Sequence, residues 1–150
     1  MRRLKCTIQY DGTGYAGYQV QPNGLTIQEV IETTLARMHK HPVKIIGSGR
    51  TDARVHAYGQ VIHFDTELSI PPENVVKALN TLLPADIRVR SCEEVKPAFE
   101  ARYDVIGKEY RYFVRREENA FRRNLSVHIP YPLDLERIRQ GMAHLVGTHD

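Results

Sequence analysis

The residues best equipped for chemistry lie in one short segment, residues 47–57, which reads GSGRTDARVHA. The segment sets the carboxylate of Asp52 between Arg50 and Arg54, with the imidazole of His56 close behind. Flanking guanidinium groups favour the charged form of an acid, and loops held between rigid elements often carry catalytic residues. A β-turn in which Asp52 bonds its own backbone explains the same residues equally well. Residue types alone therefore leave catalysis and turn formation open.

The sequence gives little support for a metal site or for a nucleophilic catalytic triad. The nearby groups that could ligate a metal are Asp52, His56, His63 and Asp65. They lack the H-x-x-x-H or C-x-x-C spacing of zinc sites, so we expect no metal and two structural histidines. No serine stands in a G-x-S-x-G pattern, and neither cysteine has a base nearby in sequence. A single carboxylate instead suits covalent catalysis or proton abstraction, and a neighbouring arginine can bond a phosphate or carbonyl oxygen.

The elements that must hold this segment are read from local signals. Alternating apolar residues predict strands over residues 4–10, 43–46, 60–65 and 87–95. Thr26 and Glu29 form a capping box that starts a helix ending before Pro42. Pro71 and Pro72 start a second helix, which Pro84 stops. The order β-α-β-β-α-β predicts an α+β fold of the ferredoxin-like split type, an antiparallel sheet with both helices on one face.

The remaining chain predicts the beginning of a second, similar unit. Residues 103–115 read as a long strand, residues 125–129 as a short one, and Asp134 caps a further helix. We therefore predict two domains, residues 1–97 with the Asp52 loop and residues 98–150 as an incomplete second unit. The β-β-α tail has no closing strand, so we expect this polypeptide to be a fragment or to receive its other half from elsewhere.

Gly12, Gly14 and Gly17 formally complete the dinucleotide-binding pattern G-x-G-x-x-G. That pattern binds a pyrophosphate only when its last glycine opens a helix. Here the helix begins too late, after Thr26, so we do not expect a nucleotide cofactor. We expect these glycines to let the loop pass close to another group, for which a substrate is one candidate.

Composition narrows the class of protein. The chain has 150 residues, 41% apolar and 26% charged, which is ordinary for a soluble globular protein. No apolar run is long enough to span a membrane, and no signal peptide follows Met1. We expect a cytoplasmic protein whose two cysteines, Cys6 and Cys92, are reduced and serve as small buried apolar residues.

Basic and aromatic residues alternate in one region after residue 100. Its members are Arg102, Tyr103, Lys108, Tyr110, Arg111, Tyr112, Phe113, Arg115, Arg116, Arg122 and Arg123. Such a mixture suits backbone phosphates and stacked bases. A solvated strand face with paired charges is an equal alternative, because Glu109, Glu117 and Glu118 lie among them.

Taken together, these motifs resemble the TruA family of tRNA pseudouridine synthases. The signature is carried by Gly49, Arg50, Thr51, Asp52, Ala53, Val55, His56, Ala57, Gly59, Gln60, Val61, His63 and Phe64. Further similarity is carried by Tyr10-Asp11-Gly12, Gly17, Gln19, Gln21, Asn80, Leu83-Pro84, Asp86-Ile87, Phe99, Ala101-Arg102, Lys108, Tyr110, Tyr112 and Gly147-Thr148-His149-Asp150.

The resemblance implies a cofactor-free enzyme that isomerises uridines at positions 38 to 40 of the tRNA anticodon stem-loop. Asp52 would be the nucleophile, Arg50 would pair with it and hold the flipped-out nucleotide, and Tyr110 would stack on the uracil. Further RNA contacts are expected from Arg54, His56, Arg102, Lys108 and Arg111. The family is similarly understood as a homodimer of two-unit catalytic domains with the cleft between the units.

The chain departs from the family pattern at Arg54 and in its length, with a smaller difference at Tyr18. The family's chains continue well beyond this one, and their later half supplies the other wall of the cleft. Family members usually carry glycine where this chain has Arg54. Glycine serves where φ is positive or where the backbone approaches a ligand, so Arg54 would strain the loop, intrude on the site or add a phosphate contact. Tyr18 stands where tryptophan is common. A catalytically impaired RNA-binding module of the same fold is the alternative function, and a metal-dependent hydrolase is a third.

Overall fold

Strand β1 (Arg2–Tyr10) is an inner strand of the sheet that carries the Asp52 loop. In the computed structural model, which describes residues 1–149, the chain divides into two units, Met1–Lys108 and Glu109–Asp150. The other elements of the first unit are α1 (Ile27–His39), β2 (Ile46–Gly47), β3 (Ala57–Thr66), α2 (Pro72–Leu82) and β4 (Ile87–Val95). Those of the second are β5 (Val114–Arg115), β6 (Val127–His128) and α3 (Leu135–Ala143).

The four strands of the first unit form one antiparallel sheet in the order β2-β3-β1-β4. Side chains alternate along β1, so Leu4, Cys6 and Ile8 are fully buried while their neighbours are partly exposed. The mixture of this sheet with separate helices agrees with the predicted α+β class.

One apolar cluster joins the sheet to its helices. Ile31 and Leu35 of α1 and Leu79 of α2 are fully buried in the same cluster as Ile8 and Phe64 of the sheet. Each such side chain contributes roughly 1.5–3 kcal/mol to folding when it leaves water. This cluster makes the sheet a rigid base for the loops at its ends.

The predicted helix boundaries are confirmed. The hydroxyl of Thr26 accepts a hydrogen bond from the amide of Glu29, as a capping box requires. Helix α2 begins at Pro72 after Pro71. Helix α1 ends at His39, and Lys40 caps it with a left-handed backbone, φ of 64°. Glycine usually occupies this position of a helix end.

The second strand is shorter than predicted, since residues 43–45 are outside it. The amide of Ile45 donates to the carboxylate of Glu32 instead of to a neighbouring strand, at 3.2 Å. Lys44 and Gln28 bond the same carboxylate, at 2.7 and 2.9 Å. A buried acid on α1, which the sequence did not single out, therefore holds the approach to the Asp52 loop.

The long strand predicted over residues 103–115 is wrong, because only Val114–Arg115 is extended and paired. Residues 101–104 turn back instead, with the amides of Tyr103 and Asp104 donating to the carbonyl of Glu100. A strand needs a partner for its backbone groups, and among the described residues no strand pairs with residues 105–112, while the carbonyl of Phe113 accepts from the amide of Val127.

The rest of the second unit follows its predicted order with altered lengths. β6 covers two residues of the five predicted and pairs in parallel with β5. Asp134 caps α3 through the amides of Glu136 and Arg137. The apolar side chains of α3, Leu135, Ile138 and Met142, are all exposed. Asp150, which ends the family-like motif, lies outside the described residues.

The expectation of two reduced cysteines is wrong, since Cys6 and Cys92 form a disulfide. The two residues are directly opposed in the antiparallel register of β1 and β4, with their Cα atoms 4.1 Å apart. The sequence could not reveal this pairing, because it depends on which strands become neighbours. Among residues 1–149, no helix is both long enough and apolar enough to cross a membrane.

We predict that reduction of the disulfide lowers the free energy of unfolding by about 4 kcal/mol, because the bond closes a long loop in the unfolded chain. Urea unfolding with and without dithiothreitol measures the difference. Thiol titration of the denatured, unreduced protein should find no free thiol.

The control is Cys92→Ser, whose unfolding midpoint should not respond to dithiothreitol. Equal midpoints for the oxidised and reduced parent would contradict the stabilising role of the bond.

Candidate active site

The loop between β2 and β3 carries Asp52, and its first residues are fastened to β3. The amide of Ser48 donates to the carbonyl of Val61 at 2.8 Å. The side-chain amide of Gln60 donates to the carbonyl of Gly49. The chain is therefore free to leave the sheet only from Arg50 onward.

The segment after β1 fastens the loop on both sides of Asp52. The amide of Tyr18 donates to the carbonyl of Thr51 at 2.9 Å, and the amide of Arg54 donates to the carbonyl of Tyr15 at 3.2 Å. The hydroxyl groups of Tyr10 and Thr51 are also hydrogen-bonded, at 2.8 Å. Such supporting contacts keep a functional side chain in one geometry.

Glycines allow this close approach. A Cβ atom at Gly12 would lie 2.0 Å from the carbonyl oxygen of Val55, which is an impossible contact. Gly17 has φ of +99°, and a Cβ there would meet the carbonyl oxygen of Thr51 at 3.0 Å. Gly12 and Gly17 of the G-x-G-x-x-G pattern thus serve the approach of one loop to another, and α1 begins only at Ile27.

Asp52 and Arg50 are exposed and line the same cleft of about 410 Å³. Its other lining residues are Ala16, Gly17, Tyr18, Gln19, Val20, Gln21, Thr51 and Ala53. The expected ion pair is not formed, since within residues 1–149 no acid lies within 4.0 Å of the Arg50 guanidinium. Both charges are therefore available to a ligand.

Asp52 and Asp11 show how differently two loop aspartates can be used. Asp11 accepts bonds from the amide and hydroxyl of Thr13, as a turn-forming residue does. The Thr13 hydroxyl is the main reason that the pKa of Asp11 lies below its usual value, with the Thr13 amide and His56 adding to it. The carboxylate of Asp52 accepts no hydrogen bond from the described residues, and only its backbone carbonyl joins the turn, through the amide of Val55.

Arg54 has a left-handed backbone, with φ of 68°. This agrees with the expectation that the position suits glycine, since a side chain there costs roughly 1–2 kcal/mol. The residue is exposed, so its side chain points away from the packed part of the loop.

His56 contacts the segment after β1 through its imidazole ring. Its Nδ1 atom lies 3.1 Å from the amide of Gly12 and 3.0 Å from Oδ1 of Asp11. In the neutral ring Nδ1 accepts from Gly12, and in the charged ring it donates to Asp11. Either form ties the segment after β1 to the Asp52 loop, as expected for a structural histidine.

The other predicted site residues are divided between the two units. Arg102 lies over the ring of Tyr103 at 5.7 Å, and Lys108 approaches Gly49 closely enough that a Cβ there would be 3.3 Å from its Nζ. Tyr110 and Arg111 belong to the second unit, where Tyr110 is 68% exposed and Arg111 pairs with Glu109.

Two supporting groups were not singled out as site residues from the sequence. The hydroxyl of Tyr15 donates to Asp86 at 2.7 Å, and the amide of Asp11 donates to the carbonyl of Asp86 at 2.9 Å. Asp86 directly precedes β4 and belongs to the family-like motif, whereas Tyr15 lies in the loop after β1. Tyr18 is buried, and its hydroxyl has no hydrogen-bond partner among residues 1–149. Burial raises the pKa of this hydroxyl.

We predict that Gly12→Ala destabilises the protein by about 1–3 kcal/mol, because the new methyl group collides with the backbone of Val55. Amide exchange at Arg54 should accelerate at the same time, since its bond to Tyr15 depends on the same approach. Urea unfolding and hydrogen exchange measure the two effects. Gly14→Ala is the matched control, because a Cβ there meets nothing within 4 Å; equal effects at both glycines would refute the close approach.

A second prediction concerns the two left-handed residues, Lys40 and Arg54. At each position the glycine variant should be more stable than the alanine variant by about 1 kcal/mol, because only glycine adopts positive φ without strain. Chemical denaturation of the four variants measures this. Lys40 does not line the cleft, so the Lys40→Gly and Lys40→Ala variants calibrate the effect of positive φ on stability. An Arg54→Ala protein as stable as Arg54→Gly would mean that the loop is not strained.

Comparison with known proteins identifies the family of this chain. Residues 7–104 match a family model described as tRNA pseudouridine synthase. A protein of Exiguobacterium sibiricum named tRNA pseudouridine synthase A is 81% identical over 150 residues, which are 100% of this chain and 60% of that protein. Proteins of the same name from another Exiguobacterium and from Bacillus pumilus are 62% and 55% identical, over 100% and 99% of this chain and 61% and 62% of their own lengths. This chain thus spans about 60% of the length of these curated relatives, and it belongs to the tRNA pseudouridine synthase family.

Proposed function

We propose that this chain supplies the catalytic loop of an enzyme that converts uridine to pseudouridine in tRNA, with Asp52 as the nucleophile. The observation that carries the proposal is the state of Asp52. Its carboxylate is exposed in a cleft beside Arg50, and it accepts no bond from the described residues. The loop that carries it is nevertheless fastened at Thr51 and Arg54. A preorganised but unoccupied nucleophile is what covalent catalysis requires.

The reaction rearranges one nucleotide and needs no added reactant. The Asp52 carboxylate attacks either C6 of the uracil or C1′ of the ribose, and the bond between C1′ and N1 breaks. The freed base rotates and a bond forms between C1′ and C5. The bond from Asp52 to C1′ or C6 breaks and regenerates the free carboxylate, and the proton at C5 is lost while N1 gains one. Atoms and charge balance without a cofactor.

Arg50 and Tyr110 are the proposed substrate-binding residues. Arg50 shares the cleft with Asp52 and has no acid within 4.0 Å in residues 1–149, so its guanidinium is available to a phosphate of the flipped-out nucleotide. Tyr110 is exposed in the second unit. An exposed aromatic ring can stack on an extruded uracil and so offset its lost stacking, and the Tyr110 hydroxyl is a candidate for the final proton transfer.

Finer features of the assembly are part of the same proposal. The element order and the strand order β2-β3-β1-β4 support a ferredoxin-like arrangement of β1 to β4. The domain bounds proposed from the sequence are residues 1–97 and 98–150. We propose the anticodon arm, positions 38 to 40, as the substrate, with RNA contacts from Arg54, His56, Arg102, Lys108 and Arg111. We also propose a homodimeric state and a cytoplasmic location that follows from the tRNA substrate. The disulfide between Cys6 and Cys92 removes the part of the argument for a cytoplasmic location that relied on two reduced cysteines.

A catalytically impaired RNA-binding module is the second candidate. It is favoured by the left-handed backbone of Arg54, which stands two residues from Asp52. In that case the chain would bind tRNA in a salt-dependent manner without forming pseudouridine, and Arg54→Gly would restore turnover.

We predict that Asp52→Asn and Asp52→Ala abolish pseudouridine formation, by at least about a thousand-fold, because each removes the nucleophile. Their affinity for tRNA should stay within about three-fold of the parent, since most binding comes from cationic side chains. Pseudouridine is quantified in tRNA treated with the 150-residue chain, alone and extended to the length of its relatives. Filter binding measures affinity.

Glu73→Gln is the matched control, because Glu73 is an exposed acid in the first turn of α2. It should leave both measurements unchanged. Undiminished product from either Asp52 variant would remove Asp52 from the proposed role. Product only after Arg54→Gly would favour the impaired module.

A further inference from the structure

The sheet has an irregularity at the point where β3 enters it. Tyr58 and Gly59 of β3 together oppose the single residue Gln9 of β1, so β3 contains one extra residue there. Such a β-bulge re-aims a side chain and is common beside active sites. Tyr58 is 70% exposed although it belongs to an inner strand.

A second bulge lies on the other side of β1 at nearly the same level. Ser91 pairs with Thr7 and Val89 pairs with Ile8, so Arg90 is the extra residue of β4. Val89 is buried, whereas Arg90 is exposed. Two bulges in different strands therefore release a tyrosine and an arginine from the regular pattern.

The two extra residues meet across β1. The Nη1 atom of Arg90 donates a hydrogen bond to the carbonyl oxygen of Tyr58 at 3.3 Å. The space above Gly59 is open, because a Cβ there would touch only the methyl group of Thr7, at 3.9 Å. An exposed aromatic ring and a nearby guanidinium are the components of sites that stack a base and bind its phosphate.

The charge around Arg90 favours an anion. The acids that follow on β4 are neutralised, Glu93 by Lys5 and Glu94 by Arg2. Within residues 1–149 no carboxylate lies within 4.0 Å of the Arg90 guanidinium. Its charge is therefore available to a phosphate, for which guanidinium geometry is well suited.

The bulge at Tyr58 also lies close in sequence to the candidate active site. Tyr58 follows Ala57, the residue at which β3 begins directly after the Asp52 loop. On β1, Gln9 precedes Tyr10, whose hydroxyl is bonded to Thr51. A strand of RNA that presents a nucleotide to Asp52 would therefore pass this surface within a few residues.

We propose that Tyr58 and Arg90 form a nucleotide-binding site for the RNA strand that flanks the target uridine. The ring of Tyr58 stacks on one base, and Arg90 binds an adjacent phosphate. This inference rests on the proposed function for its partner, but it makes a separate claim about residues outside the cleft.

The test measures the affinity of the 150-residue chain for a fluorescent RNA hairpin with the sequence of an anticodon stem-loop, by anisotropy over a range of salt concentrations. Tyr58→Ala should weaken binding about ten-fold, and Tyr58→Phe should stay close to the parent, because stacking needs the ring and not the hydroxyl. Arg90→Ala should reduce the slope of log affinity against log salt by about 0.7–0.9, the value of one phosphate contact. Thermal unfolding checks that each variant is folded.

Two variants serve as matched controls. Tyr131→Ala removes a tyrosine of similar exposure, 67%, from the second unit. Arg37→Ala removes an exposed arginine from α1. Neither should change affinity or salt slope by as much as the Tyr58 and Arg90 variants.

Several outcomes would overturn the proposal: no binding of the hairpin by the parent, equal affinity for Tyr58→Ala and the parent, or equal losses for the phenylalanine and alanine variants. Unchanged RNA affinity with altered sedimentation of Tyr58→Ala would assign the surface to a protein contact instead. Pseudouridine formation is measured separately. RNA binding that depends on Tyr58, without pseudouridine formation, would support this nucleotide-binding site and contradict the catalytic proposal. Pseudouridine formation together with RNA binding that does not depend on Tyr58 would support the catalytic proposal and contradict this site.

Discussion

The geometry of the candidate site depends on backbone hydrogen bonds between two loops that are distant in sequence. The amide of Tyr18 holds the carbonyl of Thr51, and the carbonyl of Tyr15 holds the amide of Arg54. Between these two bonds the carboxylate of Asp52 accepts no hydrogen bond from the described residues. A backbone that is fixed on both sides can carry an unpaired charge at little entropic cost when a ligand binds, because the loop is already ordered.

The sheet makes that arrangement possible. β1 delivers Tyr10 and the following loop to one end, and β3 receives the chain from the Asp52 loop at the same end, since the two strands are antiparallel neighbours. The buried acid Glu32 supports the third side, where the chain approaches β2. Each support is polar and specific, while the apolar cluster beneath them supplies most of the stability.

Local signals were enough to predict the helices, and remote contacts explain what the sequence could not reveal. Thr26 and Pro72 start helices through interactions within a few residues, so their role is visible in the sequence. The strand expected over residues 103–115 fails because alternation says nothing about a partner strand. Asp52 could be recognised as a candidate from its neighbours in sequence. The loop geometry that leaves its carboxylate without a hydrogen bond involves backbone contacts with Tyr15 and Tyr18, which are distant in sequence. The bulges at Tyr58 and Arg90 likewise exist only in the register between strands.

The disulfide between Cys6 and Cys92 has a topological consequence for the site. All the residues that line the cleft, from Ala16 to Ala53, lie between these two cysteines in sequence. The peptide backbone and the disulfide together form a covalent ring that contains the whole cleft. A single cut in the Asp52 loop would therefore open the ring without separating the two pieces, and the packed sheet could keep both halves of the site in register.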